Sequence, residues 1–317
     1  MIKFKTVYAV SLAFALAMTC WGSLPQGRSG AGGRGQRAAQ RGRGQTGKLP
    51  AGTASYRDLA YVTNGHVRQK LDLYVPKSNA KVPLIIFIHG GAFTRGDKSD
   101  QNPEPFLSDG YAFASLNYRL SQDAVFPAQI EDCKAAVRWL RSNADKYKLD
   151  PDRFGAWGTS AGGHLVAMLG TAGETTLFDV GENLGVSSRV QAVADWFGPT
   201  DFLQMDAHRV PDGMGHDAPG SPESRLIGGP LQRNKDKAAR ANPINYITPN
   251  APPFLIAHGD ADRLVPYHQS VLLEAALKNA GVTVTFHTVK GGGHGFRDAT
   301  ADKMRKEFFA RYLKAKN

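Results

Sequence analysis

Cysteine is almost missing from this chain of 317 residues, which holds only Cys20 and Cys133. One of the two lies in an N-terminal segment expected to be removed, so no intrachain disulfide is expected. Cys133 falls in an amphipathic stretch and is expected to be a small buried hydrophobe. Acidic residues are absent from positions 1–50, which carry eight basic ones, Lys3, Lys5, Arg28, Arg34, Arg37, Arg41, Arg43 and Lys48. The formal net charge of +11 therefore falls to +3 over residues 51–317. The basic character belongs to a tail, which argues against a nucleic-acid-binding domain. No dinucleotide fingerprint opens a helix after a strand, and there is no P-loop, so no cofactor is expected. Apart from His294, the histidines (His66, His89, His164, His208, His216, His258, His268, His287) fall in no metal-ligand spacing, and no metal is expected. No internal repeat is present.

Long apolar runs are also scarce. Val7 to Met18 is too short for a comfortable membrane span. With Lys3 and Lys5 before it and Ala15-x-Ala17 as a cleavage signature, residues 1–23 read as an export signal. Lipid anchoring at Cys20 and retention as an N-terminal anchor are the alternatives. Residues 24–50 are Gly, Arg, Gln and Ala, a composition unable to offset chain entropy by burial, so a disordered linker is expected. RNA binding by this arginine- and glycine-rich stretch is the competing reading. It lacks interleaved aromatics for base stacking, and an exported chain rarely meets RNA. The protein is expected in the periplasm or outside the cell, touching a membrane only through an uncleaved or lipidated N-terminus.

From residue 51 strands and helices alternate, which predicts an α/β domain over 51–317 with a mostly parallel sheet and helices on both faces. Leu71–Val75 alternates like a half-exposed edge strand. Leu84–Ile88 is a continuous apolar run, as in a central strand. Further strands are expected at 111–116, 154–157, 190–197, 253–258 and 282–289. Helices are expected at 127–146, behind Ser160, at 269–280 and at 299–316. Residues 201–246 break the rhythm and read as a small lid or substrate-facing insertion, centred on 203–245.

Chemistry gathers at the expected strand ends. Gly158-Thr159-Ser160-Ala161-Gly162 fits G-x-S-x-G between a strand and a helix, a context that exposes a serine Oγ on a tight turn. His89-Gly90-Gly91-Ala92-Phe93 follows the central strand. The N–H groups of Gly91 and Ala92, with that of Ala161, are candidate donors to an oxyanion. Gly259-Asp260-Ala261-Asp262 offers an acid able to orient an imidazole. Asp262 is preferred, with Asp260 shaping the turn and Asp201 as an outside alternative. Gly291-Gly292-Gly293-His294-Gly295 places a histidine on a glycine-rich loop, suited to a general base. The chain order Ser160, Asp262, His294 is that of a nucleophile, acid and base on one sheet. Trp196 and Phe197 are candidates for substrate-pocket walls, against the alternative of ordinary core.

Residues 57 to 315 resemble the α/β-hydrolase esterases. Within these they are most similar to the bacterial acetylxylan/feruloyl esterase-like (BD-FAE-like) carboxylesterases. The carrying motifs are HGGAF at 89–93, SLNYRL at 115–120, FPAQIEDCKAAVRWLR at 126–141, GTSAGGH at 158–164, DWFGPTDF at 195–202, SPESRLIGG at 221–229, HGDADRLVP at 258–266 and GGGHGF at 291–296. The resemblance implies an α/β-hydrolase fold. It also implies cleavage of small-molecule or polysaccharide esters, such as acetyl or feruloyl side chains, through an acyl-enzyme on Ser160. Two departures from hormone-sensitive-lipase-type relatives are Thr159 in place of an acid before the serine and Ala92 in place of a third glycine. With no long cap helix before the core, an open cleft is expected. A prolyl-oligopeptidase-type peptidase and a silent hydrolase fold used for binding are the alternatives.

Overall fold

A computed structural model describes residues 48–314; the expected signal and most of the linker lie outside them. An eight-stranded sheet runs through the domain. Its strands are β1 (Ala54–Ala60), β2 (Lys70–Val75), β3 (Val82–Ile88), β4 (Ala112–Leu116), β5 (Leu149–Thr159), β6 (Ala192–Trp196), β7 (Phe254–Gly259) and β8 (Val284–Val289). The spatial order is β1-β2-β4-β3-β5-β6-β7-β8. β2 pairs antiparallel with both β1 and β4, and the pairs from β4 to β8 are parallel.

Period-two alternation assigns the side chains of each central strand to two cores. Leu84, Ile86 and Ile88 of β3 enter one, and Ile85 and Phe87 the other. On the first face lie α2 (Ala128–Ser142), α3 (Ala161–Thr171) and α6 (His268–Asn279). On the second lie α1 (Glu104–Ser108) and α7 (Ala299–Leu313). Both faces being covered is why β3 reads as an unbroken apolar run.

Three expectations need correction. Leu71–Val75 is not a half-exposed edge: Leu71, Asp72, Leu73, Tyr74 and Val75 are all buried. β1 caps that side of the sheet instead, and its polar, exposed sequence ASYRDLA carries no hydrophobic pattern to announce it. The alternation in Leu71-Asp72-Leu73 misled because Asp72 is buried in ion pairs with Arg57 and Lys98. Second, the amphipathic stretch around Cys133, the helix α2, buries charged side chains as well as apolar ones. Lys134 and Arg138 are fully buried beneath the 172–182 loop, where both pair with Asp179. Third, the 203–245 segment is more than a lid. It contains α4 (Pro222–Ile227) and α5 (Lys235–Arg240). Its Leu226, Ile227, Leu231, Ala238 and Ala241 join the first core.

Candidate active site

β5 ends in the turn that carries Ser160. The serine has φ 56° and ψ −123°, a strained conformation for a residue with a Cβ. Close contact forces the flanking glycines. A Cβ on Gly158 would lie 2.2 Å from the Gly162 carbonyl oxygen, and one on Gly162 would lie 2.0 Å from that of Ile88. The turn is tied down by Ser160 N–H donating to Trp196 O (2.9 Å) and His164 N–H donating to Ser160 O (3.0 Å).

The loops after β7 and β8 meet this turn. His294 Nε2 lies 2.9 Å from Ser160 Oγ, and its Nδ1 lies 2.8 Å from Asp262 Oδ2. A carboxylate only accepts, so Nδ1 carries the proton and Nε2 is left to accept from the serine hydroxyl. Asp262 Oδ1 accepts from the N–H groups of Leu264 (2.8 Å) and Val265 (3.0 Å). Burial alone would push the Asp262 carboxyl up, but hydrogen bonds from His258 and His294 outweigh it and hold the group well below the usual carboxylate range. The other acids are employed elsewhere. Asp260 accepts from Gly291 N–H and pairs with Lys290, and Asp201 accepts from Leu203 N–H.

Facing Ser160 is the loop after β3. Gly91 (φ 111°), Ala92 (φ 56°) and Phe93 (φ 58°) all take left-handed backbone. The N–H groups of Gly91, Ala92 and Ala161 make no hydrogen bond among the described residues, and all three residues line the cavity in front of Ser160. His89 holds this loop. Its Nε2 accepts from Arg68 Nη2 (3.2 Å), so Nδ1 carries the proton and donates to Gly90 O (2.7 Å). Burial takes the His89 pKa down to about 4, the Gly90 carbonyl opposing and the Arg68 charge adding, so the ring stays neutral in ordinary buffers.

Trp196 and Phe197 fill both roles considered for them. They are buried in the second core and also line the cavity, with the Phe197 ring 4.6 Å from that of His294. The cavity has a volume of about 1040 Å³. Sequence reasoning passed over three contributors to the site. His258, set aside among the histidines without metal spacing, is fully buried. Its Nε2–H is shared between Asp262 Oδ2 (3.2 Å) and Val265 O (3.0 Å), and its Nδ1 lies 2.7 Å from Ser270 Oγ. Its place in HGDAD, four residues before Asp262, was the available signal. Arg68 carries no sequence signature, and of the buried His216–Glu223 pair (2.9 Å) only Glu223 falls in one of the carrying motifs, SPESRLIGG, where no role was read for it. Among the described residues, no group of three or more His, Cys, Asp or Glu is placed to hold a metal ion.

Comparison with known proteins gives the family. The BD-FAE family model matches residues 71–277. The chain belongs to the BD-FAE family. A solved structure titled as a truncated carbohydrate esterase from gut microbiota superposes with a TM-score of 0.74 at 36% identity, covering 81% of this chain and 95% of that one. A bifunctional GH43-CE protein of Bacteroides eggerthii gives a TM-score of 0.75 at 38% identity, over 82% of this chain and 35% of the other. Esterase LipC of Mycobacterium tuberculosis is 29% identical over 237 residues, 72% of this chain and 57% of the relative. The chain spans about half the length of the curated relatives it matches. The mostly parallel eight-stranded sheet and these superpositions give the chain the α/β-hydrolase fold.

Proposed function

We propose that this BD-FAE protein is a serine hydrolase that cleaves carboxylic esters, carbohydrate side-chain esters among them. The observation that carries the reading is the continuous relay Asp262–His294–Ser160, with unpaired N–H groups of Gly91, Ala92 and Ala161 on the same cavity. In this reading His294 takes the proton from Ser160 Oγ as the oxygen attacks the ester carbonyl. The imidazolium is stabilised by Asp262, and the tetrahedral oxyanion by the backbone N–H groups. His294 then gives the proton to the departing alcohol, and water attacks the acyl-enzyme by the reverse relay.

A carbohydrate ester is favoured by the wording of the similar structures, a carbohydrate esterase and a GH43-CE protein. Acetyl and feruloyl groups are the acyl classes that the sequence resemblance implies. The basic N-terminus followed by an apolar run supports export as part of the same proposal. The test is hydrolysis of p-nitrophenyl acetate, longer acyl esters, methyl ferulate and acetylated xylan by the wild type and Ser160→Ala. The variant is expected to lose at least about a thousandfold in kcat. Equal activity of the two proteins, or cleavage of amides alone, sinks the reading.

A further inference from the structure

The cavity in front of Ser160 has a lopsided charge. Four arginines line it, Arg95, Arg225, Arg297 and Arg305, against two carboxylates, Glu223 and Asp302. Glu223 is buried against His216, and Asp302 pairs with Arg305 at 3.1 Å from the solvent side, being itself 62% exposed. The other three arginines have no carboxylate within 4 Å among the described residues. They come from three separate parts of the chain: the loop after β3, α4 in the insertion, and the loop that carries His294. A solvated rim would scatter such charges; here three unneutralised guanidinium groups converge on one concavity.

Arg305 differs from the others in being built in. It projects from α7 with its guanidinium over the rings of Trp157 (4.1 Å), Phe106 (5.1 Å) and Trp196 (5.9 Å). Only 14% of its side chain is exposed, yet it lines the same cavity as Ser160. Rings against its faces leave the edge of the fork for hydrogen bonds; Nη2 on that edge pairs with Asp302, and the remaining N–H groups have the planar arrangement suited to a carboxylate. Concave walls of low dielectric strengthen the field of the other three arginines at that point.

We infer that this cavity is built for esters whose carbohydrate part carries a carboxylate, an acidic sugar such as a uronic acid, with the Arg305 fork as its anchor and Arg95, Arg225 and Arg297 supplying the attracting field. The inference rests on the ester-hydrolase reading, and its test is separable from that reading. The probes are a mono-O-acetylated methyl galacturonoside as the free acid and the same compound as its carboxamide. The two share the ester and the ring and differ in charge.

Binding is measured by calorimetry on Ser160→Ala, and kcat/KM on the active protein, at about 20 mM and about 500 mM salt. The acid is expected to bind at least about tenfold more tightly than the amide at low salt, a margin that shrinks at high salt. In the Ser160→Ala background, Arg305→Gln and the exposed pair Arg225→Gln/Arg297→Gln are each expected to lower the acid-to-amide affinity ratio. The exposed pair keeps the test sound if removing Arg305 from its aromatic cage impairs folding. Equal or undetectable binding of acid and amide, or a ratio unmoved by the exposed pair, overturns the inference. Absence of p-nitrophenyl acetate turnover would count against the ester-hydrolase reading alone, because the affinity ratio is read without turnover.

Discussion

Asp262 uses every accepting position it has. Two backbone N–H groups hold one oxygen, and two imidazoles share the other. His258 is therefore a positioning residue for the acid. His258→Phe is expected to lower kcat about tenfold with KM little changed, because it loosens the acid without touching the cavity. Ser270→Ala should do less, since Nδ1 of His258 loses a partner while Nε2 keeps both of its own. Steady-state kinetics on p-nitrophenyl acetate checks both; a rise in KM alone would contradict the assignment. Asp195, behind the Ser160 turn, behaves differently. Burial pushes its carboxyl up to about 7, with only the Gly198 N–H opposing. Between its ordinary value of 3.8 and about 7, the folded state holds a proton that the unfolded state has released. The stability this group contributes is thus full at low pH and lost as pH rises through about 7. Asp195→Asn should melt higher than the wild type above pH 7 and no higher below pH 4; parallel melting curves across that range would refute the assignment. At this scale the sequence was eloquent where chemistry demands a particular residue type. Ser160, Asp262 and His294 could be singled out because glycines and loop positions mark them. His258 acts through Asp262, four residues on, a signal present in HGDAD but passed over, whereas the partners of Arg68 at Tyr118, His89 and Gly96 are distant in sequence and no local pattern records them.

The elements divide by how much local sequence decides them. The strand–turn–helix around Ser160 is set by sterics within a dozen residues, and its glycines stand where backbone meets backbone. Gly162→Ala, with its Cβ aimed at the Ile88 carbonyl, is expected to cost about 3 kcal/mol or more. Urea denaturation followed by tryptophan fluorescence measures this, and a cost below about 1 kcal/mol would mean the turn can relax. Central strands such as β3 were legible from apolar runs for the same local reason. β1 was not, because an exposed edge strand is held by ladder hydrogen bonds to β2 and needs no hydrophobic pattern. The buried polar side chains of β2 and α2 were not legible because their partners come from other segments of the chain. Asp179 is the clearest case, as it pairs with both Lys134 and Arg138 across about forty residues. Asp179→Ala leaves both cations buried without an anion and is expected to destabilise by about 3–5 kcal/mol, seen as a large drop in melting temperature. A shift of only a degree or two would mean the loop opens to water at little cost.

Across the whole molecule, the proposed chemistry and the proposed selectivity sit on different parts of the chain. The proposed triad and N–H donors hang from the ends of β3, β5, β7 and β8. Met214, His216, Glu223 and Arg225 reach the cavity from the segment between β6 and β7. Fold class was readable from the sequence because it depends on the average rhythm of many elements. The cavity's charge was not, since Arg95, Arg225, Arg297 and Arg305 are over two hundred residues apart at their extremes and meet only through the topology. The insertion is rooted in the core by Leu226, Ile227 and Leu231 and tied to the acid loop by Met214 N–H donating to Arg263 O. Of its cavity-facing residues His216 and Glu223 are buried as a pair, so it is the exposed positions, Arg225 among them, that are free to vary at little cost to folding. Natural selection, or a recombination library with crossover points outside residues 206–225, can therefore exchange one proposed substrate preference for another as a cassette, while the proposed triad is inherited intact.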